Sequence, residues 1–175
     1  MKSEKPRLYR SAFNQFLDER GYLNPIDVAV ISKSMDLETF YPAYQLMSFS
    51  ALENTFRGMH FQKDPYRQAK LLIVHSGEIL DLVVPFDDAR SSMVEKFNMV
   101  AGDILYIPDT YAHGFLTKSP AVNLQYILNK PFNSDCYEGI NATDYLRLVL
   151  DLTQSTISDK DSSFTNFLAL DDLEK

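Results

Sequence analysis

The sequence contains one cysteine, no tryptophan and no long hydrophobic run. Cys136 alone cannot form a disulfide within the chain, which is typical of proteins from a reducing compartment. No apolar run approaches the roughly 20 residues that a helix needs to cross a bilayer. The polar N-terminus also lacks the apolar centre of a signal peptide. We therefore expect a cytoplasmic protein that has no membrane partner.

Positive charge is also scarce, with 17 Lys and Arg residues against 24 Asp and Glu residues and a net charge of −7. Proteins that bind nucleic acid usually carry an excess of basic residues, so this balance argues against a nucleic-acid partner. It does not exclude a phosphorylated small ligand, because a few local Arg and Lys side chains can outweigh a global deficit.

The length of 175 residues and an apolar content of 45% predict one domain, spanning 1–175, with a real hydrophobic core. The abundance of aromatic residues (12 Phe and 10 Tyr) suits a β-rich fold. Residues 1–15 are interpreted as a flexible or exchanged arm. Residues 141–175 are interpreted as a peripheral C-terminal segment.

Alternating apolar and polar residues predict strands that recur about every ten residues, separated by Gly, Pro, Asp and Ser clusters. This pattern indicates an all-β fold, an antiparallel sandwich or barrel. Helical spacing predicts one short helix over 144–152 and another near 164–170. The strands are expected near residues 43–50, 56–62, 69–75, 78–85, 94–99, 103–107, 112–117 and 121–128.

The block Arg57-Gly58-Met59-His60-Phe61-Gln62 concentrates chemically active side chains in one predicted strand. Alternation places His60 and Gln62 on one face of that strand and Arg57 on the other. Lys70 lies at the end of the apolar row of the next strand. A histidine and a lysine directed into a barrel suit a site that handles an anion or a carbonyl group.

A second motif runs from Gly102 through Pro108 to His113, with five and then four residues between them. It resembles the second motif of the cupin superfamily of small β-barrels. Many cupins hold a metal through this histidine and further His and Glu ligands. Here His60 and His113 are too few for a zinc or iron site, so we expect no metal and no other cofactor.

The motifs together resemble one family, the nucleotide-sugar 3,5-epimerases, whose prototype is dTDP-4-dehydrorhamnose 3,5-epimerase. The resemblance runs from about residue 16 to 165, and it implies a metal-free, cupin-like jelly-roll barrel that works as a homodimer on a nucleoside-diphosphate sugar. The matching segments are Asp18–Tyr22, Arg57–Gln62, Pro65 with Gln68 and Lys70, Ala112–Phe115, Tyr126 and Ser158–Asp161.

The resemblance also implies catalytic roles. His60 is the base, and Asp161 is the carboxylate that orients and stabilises its imidazole. Tyr126 is the acid that returns a proton from the opposite face of the sugar. Lys70 stabilises the enolate that forms when the carbon beside the ketone loses its proton.

The remaining predicted residues bind substrate. Arg57 matches a contact to the diphosphate, and Arg20 matches one that reaches over from the neighbouring subunit. Gln62, Gln68 and His113 are expected to contact the substrate as well.

Each assignment has a structural alternative. A buried His60 could serve only as a core hydrogen-bonding group, and His113 fits the orientation of a loop as well as direct chemistry. Tyr126 lies on an apolar strand, where tyrosine usually packs. Without the resemblance, Asp161 and Arg20 would be interpreted as solvated surface residues.

The sequence departs from the family pattern at the periphery of the predicted site. Tyr44 and Leu46 stand where the family has Gln and Asn, and Pro85 is expected to end its strand early, which puts the family role of Arg90 in doubt. These changes indicate retained chemistry with a changed sugar or nucleotide.

The sequence therefore predicts an epimerase that inverts C3, C5 or both in a nucleoside-diphosphate-linked 4-keto-6-deoxyhexose. Three alternatives stay open at this point. They are a nucleotide-sugar 3,4-ketoisomerase, a non-catalytic cupin that binds a nucleotide sugar, and a metal-dependent cupin oxygenase or isomerase.

Overall fold

The computed structural model describes residues 4–12, 14–37, 40–88 and 93–166. The helices are α1 (Val28–Ser34), α2 (Thr143–Leu148) and α3 (Asp159–Ser162). The strands are β1 (Arg7–Tyr9), β2 (Phe16–Asp18), β3 (Gly21–Leu23), β4 (Tyr44–Ser50), β5 (Phe56–Gln62), β6 (Lys70–Ser76), β7 (Glu78–Pro85), β8 (Glu95–Val100), β9 (Ile104–Ile107), β10 (Tyr111–Thr117), β11 (Val122–Leu128), β12 (Tyr137–Asn141) and β13 (Thr165–Asn166).

Two facing sheets and one hairpin organise these strands. The five-stranded sheet has the order β1-β9-β6-β11-β4, and the six-stranded sheet has the order β13-β12-β5-β10-β7-β8. Pairing is antiparallel throughout both sheets except between β12 and β13. Strands β2 and β3 form a separate hairpin. The predicted all-β, cupin-like antiparallel jelly roll with a few short peripheral helices is confirmed.

The main core fills the space between the two sheets. Leu72 and Leu124 from the five-stranded sheet pack in one buried cluster with Val83 and Phe115 from the six-stranded sheet. Strand β6 is buried on both faces, because its alternate residues also pack under α1 in a second cluster. This double burial explains the continuous apolar run from Leu71 to Val74.

The C-terminal segment covers the outer face of the six-stranded sheet and then returns to the barrel. Tyr145 and Leu146 of α2 pack with Phe56 and Leu116 in a third buried cluster. The backbone of Phe56 donates to the Thr156 carbonyl at 2.9 Å, which ties the chain beyond α2 to the start of β5. This segment was predicted to be peripheral, and it carries α3 to the edge of the site described below.

The predicted strands agree with the observed ones within about two residues, the usual uncertainty of element ends. Strand β7 ends at Pro85, as expected, and Arg90 lies outside the described residues. The helix predicted over 144–152 is shorter, at Thr143–Leu148. The helix predicted near 164–170 is not seen at 165–166, which form β13, and 167–170 lie outside the described residues.

The N-terminal segment, for which we predict a flexible or exchanged arm, includes one strand of the five-stranded sheet. Strand β1 pairs with β9 of the same chain, with Arg7 opposite Tyr106. The Tyr106 hydroxyl donates to Glu4 at 2.5 Å, and Arg10 lies 2.7 Å from Asp103. These contacts join the segment to β9 and to the turn that precedes it.

Among the described residues, no helix is long and apolar enough to span a membrane.

Candidate active site

A cavity of about 480 Å³ is lined by strands of both sheets and by residues 156–161 of the C-terminal segment. It brings together every site residue that the sequence predicted except Arg20. The predicted residues in its lining are Arg57, His60, Gln62, Gln68, Lys70, His113, Tyr126 and Asp161.

A bulge in β5 brings Arg57 and His60 to the same cavity. His60 pairs with His113 of β10, and Arg57 pairs with Phe115. Between these two pairs β5 advances by three residues and β10 by two, so β5 contains one extra residue. Gly58 within the bulge has φ +132°, and a Cβ there would lie 2.4 Å from the Gly114 Cα. The prediction that Arg57 and His60 lie on opposite faces is therefore wrong, because the extra residue shifts the alternation.

His60 forms a close pair with Asp161 across 101 positions of sequence. Its Nε2 lies 2.7 Å from Asp161 Oδ1. Because a carboxylate can only accept, Nε2 carries the proton in the neutral ring and Nδ1 keeps its lone pair. The side chain of His60 is 28% exposed and that of Asp161 only 7%. The imidazole can therefore act as a base through Nδ1 while Asp161 stabilises the resulting cation.

Local structure holds Asp161 in its ionised form. Ser158 caps α3 by accepting from the Asp161 backbone N–H at 3.1 Å, and the Gly58 N–H donates to Asp161 Oδ2 at 3.2 Å. Burial raises the pKa of the Asp161 carboxyl, but the hydrogen bond and charge of His60, together with the Gly58 and Ser158 contacts, outweigh burial and lower it. A stable carboxylate therefore faces His60 Nε2.

Lys70 is a buried cation at the start of β6. Burial lowers the pKa of its ammonium to about 8, and the charges of Asp109 and Asp81 oppose this fall. Its Nζ donates to the Gln68 carbonyl at 3.1 Å. At neutral pH most molecules thus carry a positive charge in a poorly solvated wall, where a charge attracts an anion more strongly than it does in water.

His113 belongs to a second histidine–carboxylate pair that the sequence analysis missed. Its Nδ1 lies 3.2 Å from Asp81 Oδ2, and the Asp81 side chain is completely buried. Burial raises the pKa of Asp81 and lowers the pKa of His113, although each group partly offsets the shift of the other. The available signal was an aspartate inside the apolar strand Ile79-Leu80-Asp81-Leu82-Val83.

Tyr126 lies on β11 beside this second pair. Its ring centroid is 5.6 Å from that of His113. Burial raises the pKa of the Tyr126 hydroxyl well above its ordinary value, the charge of Asp81 raises it further, and Arg57 opposes both. Tyr126 therefore keeps its proton at neutral pH and can act as a donor.

The other predicted binding residues fall into two groups. Arg57 contacts Ser50 Oγ at 3.3 Å and the Phe49 carbonyl at 3.4 Å, which holds its guanidinium at the cavity wall. The amides of Gln62 and Gln68 are engaged by loop backbone. Gln62 donates to the Tyr66 carbonyl and accepts from the Asn133 N–H, each at 2.7 Å, and Gln68 donates to the Lys130 carbonyl at 2.7 Å.

Arg20 stands apart from the cavity. It lies between β2 and β3, its side chain is 83% exposed, and its guanidinium pairs with Asp18 of the same hairpin. The structure therefore does not bring Arg20 into the site of its own chain.

Several cavity residues escaped the sequence analysis. Tyr137 and Phe132 line the cavity together, with ring centroids 5.5 Å apart. The Lys160 ammonium lies 4.1 Å from the Tyr137 ring centroid, a cation–π distance. Lys160 falls within the matched Ser158–Asp161 segment, but no periodicity pointed to the two aromatic residues.

The described residues contain no group of three or more His, Cys, Asp or Glu side chains that could hold a metal ion. The cavity combines a histidine paired with a carboxylate, a buried cation and a protonated tyrosine. Such a set can remove a proton next to a carbonyl, stabilise the enolate and return a proton.

Comparisons with known proteins identify the family to which the chain is similar. The sequence model of the dTDP-4-dehydrorhamnose 3,5-epimerase family matches residues 6–168. The epimerase of that name from Sinorhizobium fredii is 29% identical over 166 residues, which cover 85% of this chain and 79% of that protein. The Shigella flexneri epimerase of the same name is 26% identical over 180 residues, covering 98% and 97%.

A solved structure extends the likeness to three dimensions. The crystal structure of dTDP-4-dehydrorhamnose 3,5-epimerase from Bacillus anthracis superposes with a TM-score of 0.75 at 28% identity, covering 92% of this chain and 93% of that one. Because the family model spans almost the whole chain, this protein belongs to the dTDP-4-dehydrorhamnose 3,5-epimerase family and is an isomerase of the carbohydrate epimerase class.

Proposed function

We propose that the enzyme inverts C3, C5 or both in a nucleoside-diphosphate-linked 4-keto-6-deoxyhexose of the dTDP-4-dehydro-6-deoxyglucose type. The observation that carries this proposal is the His60–Asp161 pair at 2.7 Å in one cavity with Lys70 and Tyr126. The Bacillus anthracis relative was crystallised with TDP and PPi bound, which supports a nucleoside diphosphate as part of the substrate.

In this proposal, His60 Nδ1 removes the proton from the carbon next to the ketone, and the C–H electron pair moves to the carbonyl oxygen as an enolate. Asp161 stabilises the imidazolium that forms. The Lys70 ammonium stabilises the enolate oxygen. Tyr126 then donates its hydroxyl proton to the same carbon from the opposite face, which inverts the centre.

The binding residues would take different parts in this reaction. Arg57 contacts the diphosphate, since a guanidinium matches phosphate oxygens in a bidentate manner. His113 contacts the sugar beside Tyr126. Gln62 and Gln68 act mainly by holding the loops that shape the cavity, because their amides already bond to loop backbone.

The apolar wall beside Tyr126 supports a changed sugar or nucleotide. Leu46 pairs with Tyr126 across β4 and β11 and also lines the cavity. A leucine here offers no hydrogen bond to a hydroxyl or base, so it favours an apolar substituent at this position.

Deuterium exchange tests the proposed reaction directly. The enzyme is incubated in deuterated water with dTDP-4-keto-6-deoxyglucose, and C3 and C5 are followed by NMR. Exchange and inversion at both centres indicate a double epimerase, and exchange at one centre indicates a mono-epimerase. Absence of exchange with this compound and with a panel of other nucleoside-diphosphate 4-ketosugars contradicts the proposal.

We further propose that the enzyme works as a homodimer in which Arg20 reaches the diphosphate in the partner's cavity. Apolar side chains are exposed on the β2–β3 hairpin and on the outer edge strand β4. Phe16, Leu17 and Leu23 are 59%, 72% and 68% exposed, and Met47 and Phe49 are 59% and 60% exposed. Such a surface is typical of a protein interface.

Subunit hybrids test this arrangement. Arg20→Ala and His60→Asn variants, each inactive or weak alone, are denatured, mixed and refolded. If Arg20 acts across the interface, the hybrid contains one site with both Arg20 and His60, and activity reappears. Sedimentation of the wild type as a monomer, or no recovery in a confirmed hybrid, contradicts this part of the proposal.

A further inference from the structure

The imidazole of His60 lies in a cluster with two aromatic rings. The Tyr137 ring centroid is 5.3 Å from that of His60 with an interplanar angle of 43°. The Phe164 ring centroid is 6.1 Å away, with its plane at 73° to the imidazole. Tyr137 and Phe164 also contact each other, at 6.3 Å between centroids. Three mutual contacts of this kind form a small packed unit around one face and edge of the imidazole.

Gly139 provides the space that Phe164 occupies. Gly139 is the residue of β12 directly opposite His60 of β5. A Cβ at this position would lie 2.3 Å from Phe164 Cε2 and 2.4 Å from its Cδ2. The backbone of Gly139 does not have a positive φ, so its conformation does not call for glycine. Glycine is needed here because any larger residue would clash with the Phe164 ring.

Phe164 is well placed to act on His60 because it lies two residues beyond the end of α3. Helix α3 carries Asp161, and the next strand, β13, pairs with β12. The ring of Phe164 is therefore held between the helix that supplies the carboxylate and the strand that lies beside His60.

Asp161 by itself cannot fix the orientation of the base. The bond to Cβ and one hydrogen bond at Nε2 hold two points of the ring, and the imidazole can still tilt about the line between them. Proton transfer from carbon is sensitive to this freedom, since misplacement by about 1 Å can cost on the order of a hundredfold in rate. Additional contacts on the ring are needed to direct Nδ1.

We propose that Phe164, seated in the space left by Gly139, is a positioning residue that directs the Nδ1 of His60 into the cavity. This inference rests on the proposed function of His60 as the base. Phe164 itself touches no reacting atom. It acts through the imidazole, together with Tyr137, by restricting how the ring can turn.

Kinetics of a double-mutant cycle test the proposal. Phe164→Leu is expected to lower kcat for deuterium exchange about tenfold or more, with KM changed less than about twofold, because orientation and not binding is lost. Gly139→Ala should lower kcat similarly by displacing the ring. In the double variant the smaller leucine accepts the new methyl group, so the two effects should not add. A matched control is Phe97→Leu, a partly buried phenylalanine of β8 outside the cavity lining, which should leave kcat unchanged.

NMR of the histidine rings gives a readout that does not depend on turnover. The chain has only three histidines, and His60→Asn identifies the signals of His60. In Phe164→Leu the ring carbons of His60 should show lower order parameters than in the wild type, whereas Phe97→Leu should show no change. If this loss of order occurs in an enzyme that exchanges no sugar nucleotide, the positioning role stands and the proposed function fails.

Two results would overturn the positioning role. The first is a folded Phe164→Leu enzyme with unchanged kcat and unchanged order of the His60 ring. The second is a higher KM at unchanged kcat, which would make Phe164 part of the substrate-binding wall. Additive losses in the double variant would also contradict the proposed packing of Phe164 against position 139.

Discussion

Two histidine–carboxylate pairs differ in their position and surroundings. Both partners of the first pair line the cavity, whereas in the second pair only the histidine does. His60 and Asp161 join β5 to a short helix of the C-terminal segment, and the imidazole is partly open to solvent. His113 and Asp81 lie on neighbouring strands of one sheet, and both side chains are almost fully buried.

The surroundings shift the two carboxyl groups in opposite directions. The pKa of Asp161 is lowered, because His60, the Gly58 N–H and the Ser158 hydroxyl outweigh its burial. The pKa of Asp81 is raised by burial, and one of its oxygens, Oδ1, has no hydrogen-bond partner among the described residues. The same pair of residue types therefore has a stable negative charge in one place and a disfavoured one in the other.

This difference bears on the separate roles that we propose for the two histidines. A base must gain a proton and then hold a positive charge, which requires a neighbouring carboxylate that stays ionised. The His60–Asp161 pair meets this condition. Burial lowers the pKa of His113, which favours a neutral imidazole and suits the sugar contact that we propose for it.

Loss of each histidine should give the largest contrast between the pairs. His60→Asn removes the base, and deuterium exchange at C3 and C5 should fall by about three orders of magnitude. His113→Asn keeps a hydrogen-bonding group in place and should retain exchange within about tenfold of the wild type, mostly through a higher KM. NMR exchange rates of both variants decide the matter, and equal losses would contradict the division of roles.

Loss of each carboxylate should give the next largest contrast. Asp161→Asn removes the charge that stabilises the imidazolium and disturbs the tautomer, so kcat should fall about a hundredfold or more. Asp81→Asn replaces a buried carboxylate by a neutral amide of the same shape, and kcat should change less than about tenfold. Circular dichroism should show both variants folded. A larger loss of kcat for Asp81→Asn than for Asp161→Asn would mean that His60 is not the base.

The strands were predictable from the sequence because each face of a sheet imposes alternation on its side chains, and the turns carry Gly, Pro and Asp. The side of Arg57 was not predictable in this way. The bulge at Gly58 depends on a close approach to Gly114, which lies in another strand.

The partner of His60 was beyond any local pattern. Asp161 lies 101 positions away, and only the family resemblance pointed to it. Its helix has four residues, too few to show a periodicity, and depends on the Ser158 cap. Asp81 was overlooked because a single acidic residue in an apolar strand says nothing about its partner until the neighbouring strand is known.

Loss of the Tyr126 hydroxyl should give a third, smaller contrast, because it should slow the return of the proton more than its removal. Tyr126→Phe keeps the ring beside His113 but removes the hydroxyl, so inversion should fall by about thirty- to a hundredfold. Exchange at the original configuration should fall less, because His60 can return solvent deuterium to the same face. Parallel NMR measurement of exchange and product formation separates the two. Equal and negligible effects on both would make Tyr126 a packing residue.

The titration of Lys70 should make kcat depend on pH, and this is the smallest effect that we expect near neutral pH. Its positive charge helps to lower the pKa of His113, and Asp81 lies close enough to raise the pKa of Lys70. With a pKa of about 8, Lys70 is charged below pH 8 and neutral above it. If the ammonium stabilises the enolate, kcat of the wild type should fall about tenfold per pH unit above pH 8. The Lys70→Met enzyme should have a low kcat at all pH values and should not show this fall.

Deprotonation of Lys70 at high pH should raise the free energy of unfolding while it lowers kcat. This difference distinguishes a loss of catalysis from a loss of folded protein. The folded-state pKa of about 8 lies below the ordinary value of 10.5, so between these pH values the unfolded chain binds more protons than the folded one. The free energy of unfolding contributed by Lys70 therefore rises with pH across this window, because the cost of burying the charge disappears. Urea titrations of the wild type and Lys70→Met at pH 7.5 and 9.5 should show this rise only for the wild type. A fall in kcat that follows loss of folded protein in both enzymes would remove Lys70 from the mechanism.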